Sequence, residues 1–128
     1  MANLSKSKLL LYRQCPKRLW LQVNRPDLNK TSAATQSRLD EGNNVGDLAR
    51  QLYSPGVFIE TSNLSHALDL TQKALKSRQP IFEAAFYEDE VVIRTDLLLP
   101  KNNSYRLVEV KSSTSTKSHM RLYRRFLI

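Results

Sequence analysis

The chain has 128 residues, a single cysteine and a formal net charge of +8. That length can bury one modest core, so we expect one domain over residues 1–128, and the single cysteine excludes an internal disulfide. The sequence has no run of about 18 apolar residues and no signal-peptide pattern, so we expect a cytoplasmic protein without a membrane partner.

The charge is concentrated at the two ends of the chain. Residues 1–30 carry seven Lys or Arg and one acidic residue, as do residues 101–128, whereas residues 31–100 carry six basic and ten acidic residues. Basic ends suit a phosphate backbone, and an acidic middle suits a cation. A solvated basic surface explains the same distribution, so charge alone leaves both interpretations open.

Two short helices are predicted in the basic segment 1–30. Ser5 is a suitable N-cap for a helix from Lys6 to about Arg13, and Pro16 can open a second helix that continues over residues 17–23. We expect the second helix to turn its apolar residues inward, namely Leu19, Trp20 and Val23. The candidates for contacts with a nucleic-acid backbone are Arg13, Lys17 and Arg18, although a solvated helix face explains them equally well.

A longer helix is predicted from about Thr35 to Tyr53. Four of its residues recur at helical spacing and should face the sheet: Glu41, Val45, Leu48 and Leu52. A stripe of small residues lies beside them and should allow the helix to approach its neighbour closely: Gly42, Gly46 and Ala49. Two glycines in mid-helix cost about 1 kcal/mol each relative to alanine, which makes a packing role reasonable.

The next segment combines a short strand, a helix and the start of the sheet. A strand is predicted over residues 57–59, and Asn63 should cap a helix that runs to about Arg78, with His66 facing solvent. The sheet should begin with residues 81–87. Glu83 alternates with apolar neighbours there, so it could face either a site or solvent.

Residues 91–113 predict a β-hairpin, because two runs rich in Val, Ile and Leu flank a turn-forming cluster over residues 100–104. The period of two places four residues of the second strand on one face: Tyr105, Leu107, Glu109 and Lys111. The hairpin can bring Asp96 of the first strand beside Glu109. Two carboxylates that converge next to a lysine make a poor core and a good cation site.

Asp96 followed by Glu109-Val110-Lys111 resembles the motif of the PD-(D/E)XK nucleases. The segment QCPKRLWLQVNRP, residues 14–26, resembles the start of a bacterial domain family of unassigned function that is related to RecB-like nucleases. This resemblance implies an α/β (α+β-like) fold with N-terminal helices followed by a three-stranded, mainly antiparallel sheet, which is part of the PD-(D/E)XK core.

The resemblance also implies a site and a reaction. Asp96 and Glu109 would bind Mg²⁺ or Mn²⁺, aided by Glu41 and the Val110 carbonyl, and Lys111 would orient or help deprotonate the attacking water. Hard divalent cations prefer oxygen ligands and lower the pKa of a bound water, and the pKa of a lysine shifts readily in a charged site. The implied reaction is hydrolysis of DNA phosphodiester bonds.

The chain departs from this family near its C-terminus. The family pattern continues with a further helix and strand, whereas residues 115–128 form a basic tail, so we expect an incomplete domain that a partner chain or self-association could complete. The tail is either a basic helix that touches DNA or an altered reading frame after a truncation; the arginines concerned are Arg121, Arg124 and Arg125. Two alternatives to the enzyme therefore stay open, an inactive nuclease remnant and a basic nucleic-acid-binding module without chemistry.

Cys15 lies where related iron–sulfur nucleases place the first of four cluster cysteines. This chain has no second cysteine, so a cluster cannot form within it. We therefore expect Cys15 to be a small, half-buried core residue.

Overall fold

The computed structural model describes residues 3–29 and 33–112, and the predicted basic tail with its three arginines lies outside these ranges. Four α-helices and seven strands make up the described part, together with a 3-10 turn at Pro26–Leu28. The helices are α1 Lys6–Gln14, α2 Pro16–Asn24, α3 Ala33–Leu52 and α4 Leu64–Leu75. The strands are β1 Leu4–Ser5, β2 Val57–Phe58, β3 Ile81–Phe82, β4 Ala85–Glu88, β5 Val91–Arg94, β6 Leu97–Lys101 and β7 Ser104–Val108.

The α/β class is confirmed, but the single three-stranded sheet is not. The strands form one three-stranded sheet, β1-β5-β4, and one four-stranded sheet, β2-β3-β6-β7. The antiparallel meander predicted between residues 81 and 111 is present, and the short strands β1 and β2 add parallel pairs to it. The difference arises because the first hairpin of the meander is interrupted in its middle.

The interruption lies between β3 and β4 on one side and between β5 and β6 on the other. The pairings before and after it keep one register, so Glu83 lies opposite Asp96, and Ala84 lies opposite Thr95. Glu83 has a φ of 58°, which is uncommon for a residue with a side chain and turns the backbone out of the regular ladder. Two backbone hydrogen bonds still cross the gap, from the Glu83 N–H to the Asp96 carbonyl (3.3 Å) and from the Thr95 N–H to the Ala84 carbonyl (2.9 Å).

The second hairpin has a tighter turn than expected. Pro100 is not in the turn but within β6, where it pairs with Tyr105, and Lys101 pairs with Ser104. The turn therefore contains only two residues, and the φ of 51° at Asn102 suits a tight hairpin turn.

The core lies between α4 and the sheets. It is a cluster of seven buried residues, namely Ile59, Ala67, Ala74, Ile81, Ala84, Ala85 and Leu98. Thr71 is fully buried among them. Its hydroxyl donates to the Ala67 carbonyl (2.7 Å) and accepts from the Ala85 N–H (2.9 Å), so one side chain joins the helix to β4.

Thr71→Val should destabilise the protein by about 1–3 kcal/mol, because the buried Ala85 N–H would lose its acceptor while the shape of the side chain is kept. Thr95→Val is the matched control. Thr95 is equally buried, but its hydroxyl only donates, at 3.4 Å, to a carbonyl that already accepts from a backbone N–H. Urea unfolding of the two variants should show the larger loss for Thr71→Val, and equal losses would contradict this assignment.

The predicted starts of three helices are confirmed. The Ser5 hydroxyl accepts from the Lys8 N–H (3.4 Å) at the start of α1, and the Asn63 side chain accepts from the His66 N–H (3.0 Å) at the start of α4. Pro16 is the first residue of α2. His66 is exposed, as expected. None of the helices within residues 3–29 and 33–112 combines the length and apolarity needed to cross a bilayer.

The predicted inner faces of α2 and α3 are wrong in part. Trp20 is 58% exposed and Val23 is exposed, whereas Leu19 is half-buried. On α3, Leu48 and Leu52 are 62% and 76% exposed. Helical spacing shows which residues share a face, but another element must cover that face to bury it.

Cys15 is also exposed, so its prediction as a half-buried core residue is wrong. It is the residue between α1 and α2, with an extended backbone and a φ of −167°. Its N–H donates to the Leu11 carbonyl (2.9 Å). Cys15 lies outside both helices as an extended cap residue, so the helical spacing of α1 and α2 does not place its side chain on an inner face.

Candidate functional site

A cavity of about 320 Å³ lies between α3 and the interruption in the meander. Small residues of α3 line one side, and charged side chains from the interruption and from the segment after β7 line the other. The charged lining residues are Glu83, Asp96, Lys111 and Arg50. The cavity therefore has carboxylates and cationic groups in its wall.

Asp96 is joined to the segment after β7 by a direct hydrogen bond. Its Oδ2 accepts from the Val110 N–H at 2.7 Å, and both residues line the cavity. The β6–β7 register ends with Leu97 opposite Val108, and its continuation by one residue places Glu109 opposite Asp96. The structure thus brings Asp96 to the Glu109-Val110-Lys111 segment, as the hairpin prediction required.

Glu109 accepts hydrogen bonds from two lysines through the same oxygen. Its Oε1 lies 2.8 Å from the Lys111 Nζ and 2.7 Å from the Lys6 Nζ, and its side chain is only 15% exposed. Burial acts to raise the pKa of Glu109, but the hydrogen bonds from Lys111 and Lys6 outweigh it and lower that pKa below its ordinary value. Glu109 is therefore held as a carboxylate that orients the lysines.

The pKa of Asp96 is raised instead. Burial is the main cause; the hydrogen bond from Val110 opposes it, and the negative charge of Glu109 adds to it. A raised pKa means that the folded protein compensates the negative charge of this carboxylate less well than water does.

The strand pattern in the sequence did not decide whether Glu83 faces a site or solvent. This residue lies opposite Asp96 and lines the same cavity, and burial followed by the charge of Asp96 raises its pKa, with Arg94 and Arg50 opposing. Alternation along a strand does not predict the position of the Glu83 side chain, because the positive φ at this residue interrupts the strand. The feature that indicates Glu83 is its position opposite Asp96 in the register of the first hairpin.

The residues that could hold a Mg²⁺ or Mn²⁺ ion here are Asp96 and Glu83, whose carboxylates are hard oxygen donors on the same cavity. Asp96 and Glu83 are half-buried with raised pKa values, and a divalent cation would supply the missing positive charge. Mg²⁺ keeps several waters and is commonly bound by one or two carboxylates together with substrate phosphates. In residues 3–29 and 33–112, no three His, Cys, Asp or Glu side chains are grouped as metal ligands, so a site closed by protein ligands alone is not formed there.

Glu41 is not brought to this cavity. It is exposed and is not among the lining residues, although its neighbour Gly42 and the next turn's Gly46 are. Successive helix residues are rotated by about 100°, so a helix that presents the glycines to the cavity turns Glu41 away.

The glycines of α3 also differ from expectation. A Cβ at Gly42 would have no neighbour within 4 Å, and one at Gly46 would have only the Arg50 Nη1 at 3.9 Å. Gly42 and Gly46 therefore border open space in the cavity, and they are not used for close packing against a neighbouring element. Arg50 itself lies over the Phe58 ring, 4.6 Å from its centroid, and forms an ion pair with Asp47.

The residues predicted to contact a nucleic-acid backbone lie on α1 and α2. Arg13, Lys17 and Arg18 are all exposed, and Arg18 donates to the Gln14 side chain one turn earlier. They are accessible to a nucleic acid, as they would be on any solvated helix face.

The pKa values of Asp96 and Glu83 are raised in the folded protein. The contribution of these two groups to stability should therefore fall as the pH rises above about 4, the ordinary pKa of a carboxyl group. Over that range the native carboxyls hold protons that the unfolded chain has released. Asp96→Asn removes the contribution of Asp96, so this variant should gain stability relative to the wild type as the pH rises. Urea unfolding over a pH series measures the difference, and a difference independent of pH would contradict the raised pKa.

Comparisons with protein-family models, curated proteins and solved structures found no match to this chain. The resemblance to PD-(D/E)XK nucleases therefore rests on the two sequence segments quoted above. The core and the reaction that it implies stay predictions.

Proposed function

We propose that the protein hydrolyses phosphodiester bonds of DNA with Mg²⁺ or Mn²⁺ as its cofactor. The observation that carries the proposal is the convergence of Asp96, Val110 and Lys111 on one cavity, with Asp96 hydrogen-bonded to the Val110 N–H. This convergence combines hard oxygen donors, which Mg²⁺ prefers, with an ammonium group around a space of about 320 Å³.

Each side chain has a distinct role in the proposal. Asp96 and Glu83 would hold the cation, and the Val110 carbonyl is a further candidate ligand. Glu109 fixes the ammonium of Lys111, which would position the attacking water. To serve as a metal ligand as well, the Glu109 carboxylate would have to release a lysine and bind the cation instead. When bound, the cation lowers the pKa of water and neutralises charge on the phosphoryl group. Glu41 is not part of this proposed site.

The charge distribution supports a nucleic acid as the substrate. The formal net charge is +8, and residues 1–30 carry seven of the basic residues. Exposed cations on α1 and α2, namely Arg13, Lys17 and Arg18, could neutralise backbone phosphates.

Incubation of the purified protein with duplex and single-stranded DNA tests the proposal directly. We expect cleavage that requires added Mg²⁺ or Mn²⁺ and stops when a chelator is added. DNA that is bound but stays intact with either ion would overturn it.

The second candidate is a basic nucleic-acid-binding module without chemistry. It is favoured by the pairing of Glu109 with two lysines, which leaves this carboxylate engaged by protein groups. DNA binding that is unchanged by chelator and by Asp96→Ala, with no cleavage, would establish it in place of the enzyme.

A further inference from the structure

Lys6 reaches the site from the opposite end of the chain. It is the first residue of α1, directly after β1, whose Leu4 pairs with Val91 of β5. This pairing places α1 so that the Lys6 Nζ lies 2.7 Å from the Glu109 Oε1, across 103 positions of sequence. The side chain of Lys6 is 29% exposed, so it is held by the ion pair but only partly covered by the protein.

We propose that Lys6 is a phosphate-binding residue of the site, acting beside Lys111 on the nucleic-acid backbone. This inference rests on the proposed function. Glu109 holds both ammonium groups on one oxygen, so it presents two positive charges side by side next to the cavity that Lys111 lines. A phosphate carries several acceptor oxygens and can take a charge-assisted hydrogen bond from each ammonium group.

A purely structural role is the competing explanation. The ion pair joins the N-terminal helices to the end of the meander, so its removal would lower stability whether or not Lys6 touches a ligand. A phosphate contact has a consequence that a structural tie lacks, because each contact adds to the salt dependence of DNA binding. The slope of log K against log salt changes by about 0.9 for each phosphate neutralised on duplex DNA.

The test measures binding of labelled duplex DNA by fluorescence anisotropy over a salt series, with chelator present so that no cleavage occurs. We expect Lys6→Met to bind more weakly and to lose about 0.9 of the slope, and Lys6→Arg to keep most of it. Lys73→Met is the matched control, because it also removes one charge and one ion pair, with Asp69 on the exposed side of α4. Its slope should equal that of the wild type.

The outcomes separate this inference from the proposed function. A Lys6→Met variant that melts earlier but keeps the wild-type slope would make Lys6 a structural tie only, while metal-dependent cleavage by the wild type would leave the proposed function intact. Wild-type protein that neither binds DNA in chelator nor cleaves it with Mg²⁺ or Mn²⁺ would overturn both. If Lys6→Met does not fold, Lys6→Gln keeps a donor to Glu109 without the charge and allows the same comparison.

Discussion

Lys111→Met should reduce metal-dependent DNA cleavage by about 10²-fold, the order of magnitude lost when a reacting group is misplaced by about 1 Å. The reason is that Lys111 is the ammonium group that lines the cavity together with Asp96. Binding of Mn²⁺ should persist in this variant, because no lysine is a proposed ligand. Initial rates of plasmid cleavage and calorimetric titration with Mn²⁺ measure the two effects separately.

Asp96→Asn should lose both properties, since it replaces a proposed ligand by a neutral group. Two controls match these substitutions. Asp69→Asn changes an exposed aspartate of α4, and Lys101→Met changes an exposed lysine at the end of β6. Cleavage by Lys111→Met at the wild-type rate would remove Lys111 from the mechanism.

Leu98→Ala should destabilise the protein by about 2–5 kcal/mol, because Leu98 is only 3% exposed and belongs to the core cluster. The matched substitution Leu52→Ala removes the same atoms from a residue that is 76% exposed, and it should change stability by less than about 0.5 kcal/mol. Urea unfolding monitored by circular dichroism provides both values. Equal losses would mean that the exposed face of α3 is covered by another group in solution.

The cavity places opposite charges on different parts of its wall. Asp96 and Glu83 come from the interrupted hairpin, whereas Lys111 comes from the segment after β7 and is held by Glu109. A cation at the carboxylates and a phosphate at the lysines would therefore be neighbours. Under the proposed reaction, a bound cation would compensate the charge of these two half-buried carboxylates, whose pKa values are raised.

Local signals in the sequence were sufficient for the helices and for much of the meander. Ser5 and Asn63 were predicted as caps, and their hydrogen-bond partners lie three residues away. The hairpin that joins Asp96 to the Glu109-Lys111 segment follows from alternating residues and a short turn. These features depend on contacts between residues that are close in the chain, so periodicity and turn chemistry predict them.

The tertiary structure alone decided which faces are covered and which further side chains reach the site. The spacing of Leu52 on α3 resembles that of a core residue, yet its exposure depends on what packs there. Glu83 joins Asp96 because of a backbone turn at one residue, and Lys6 meets Glu109 across 103 positions because β1 pairs with β5. The contact of Lys6 with Glu109 is created by the packing of distant segments, and no local pattern of residues encodes it.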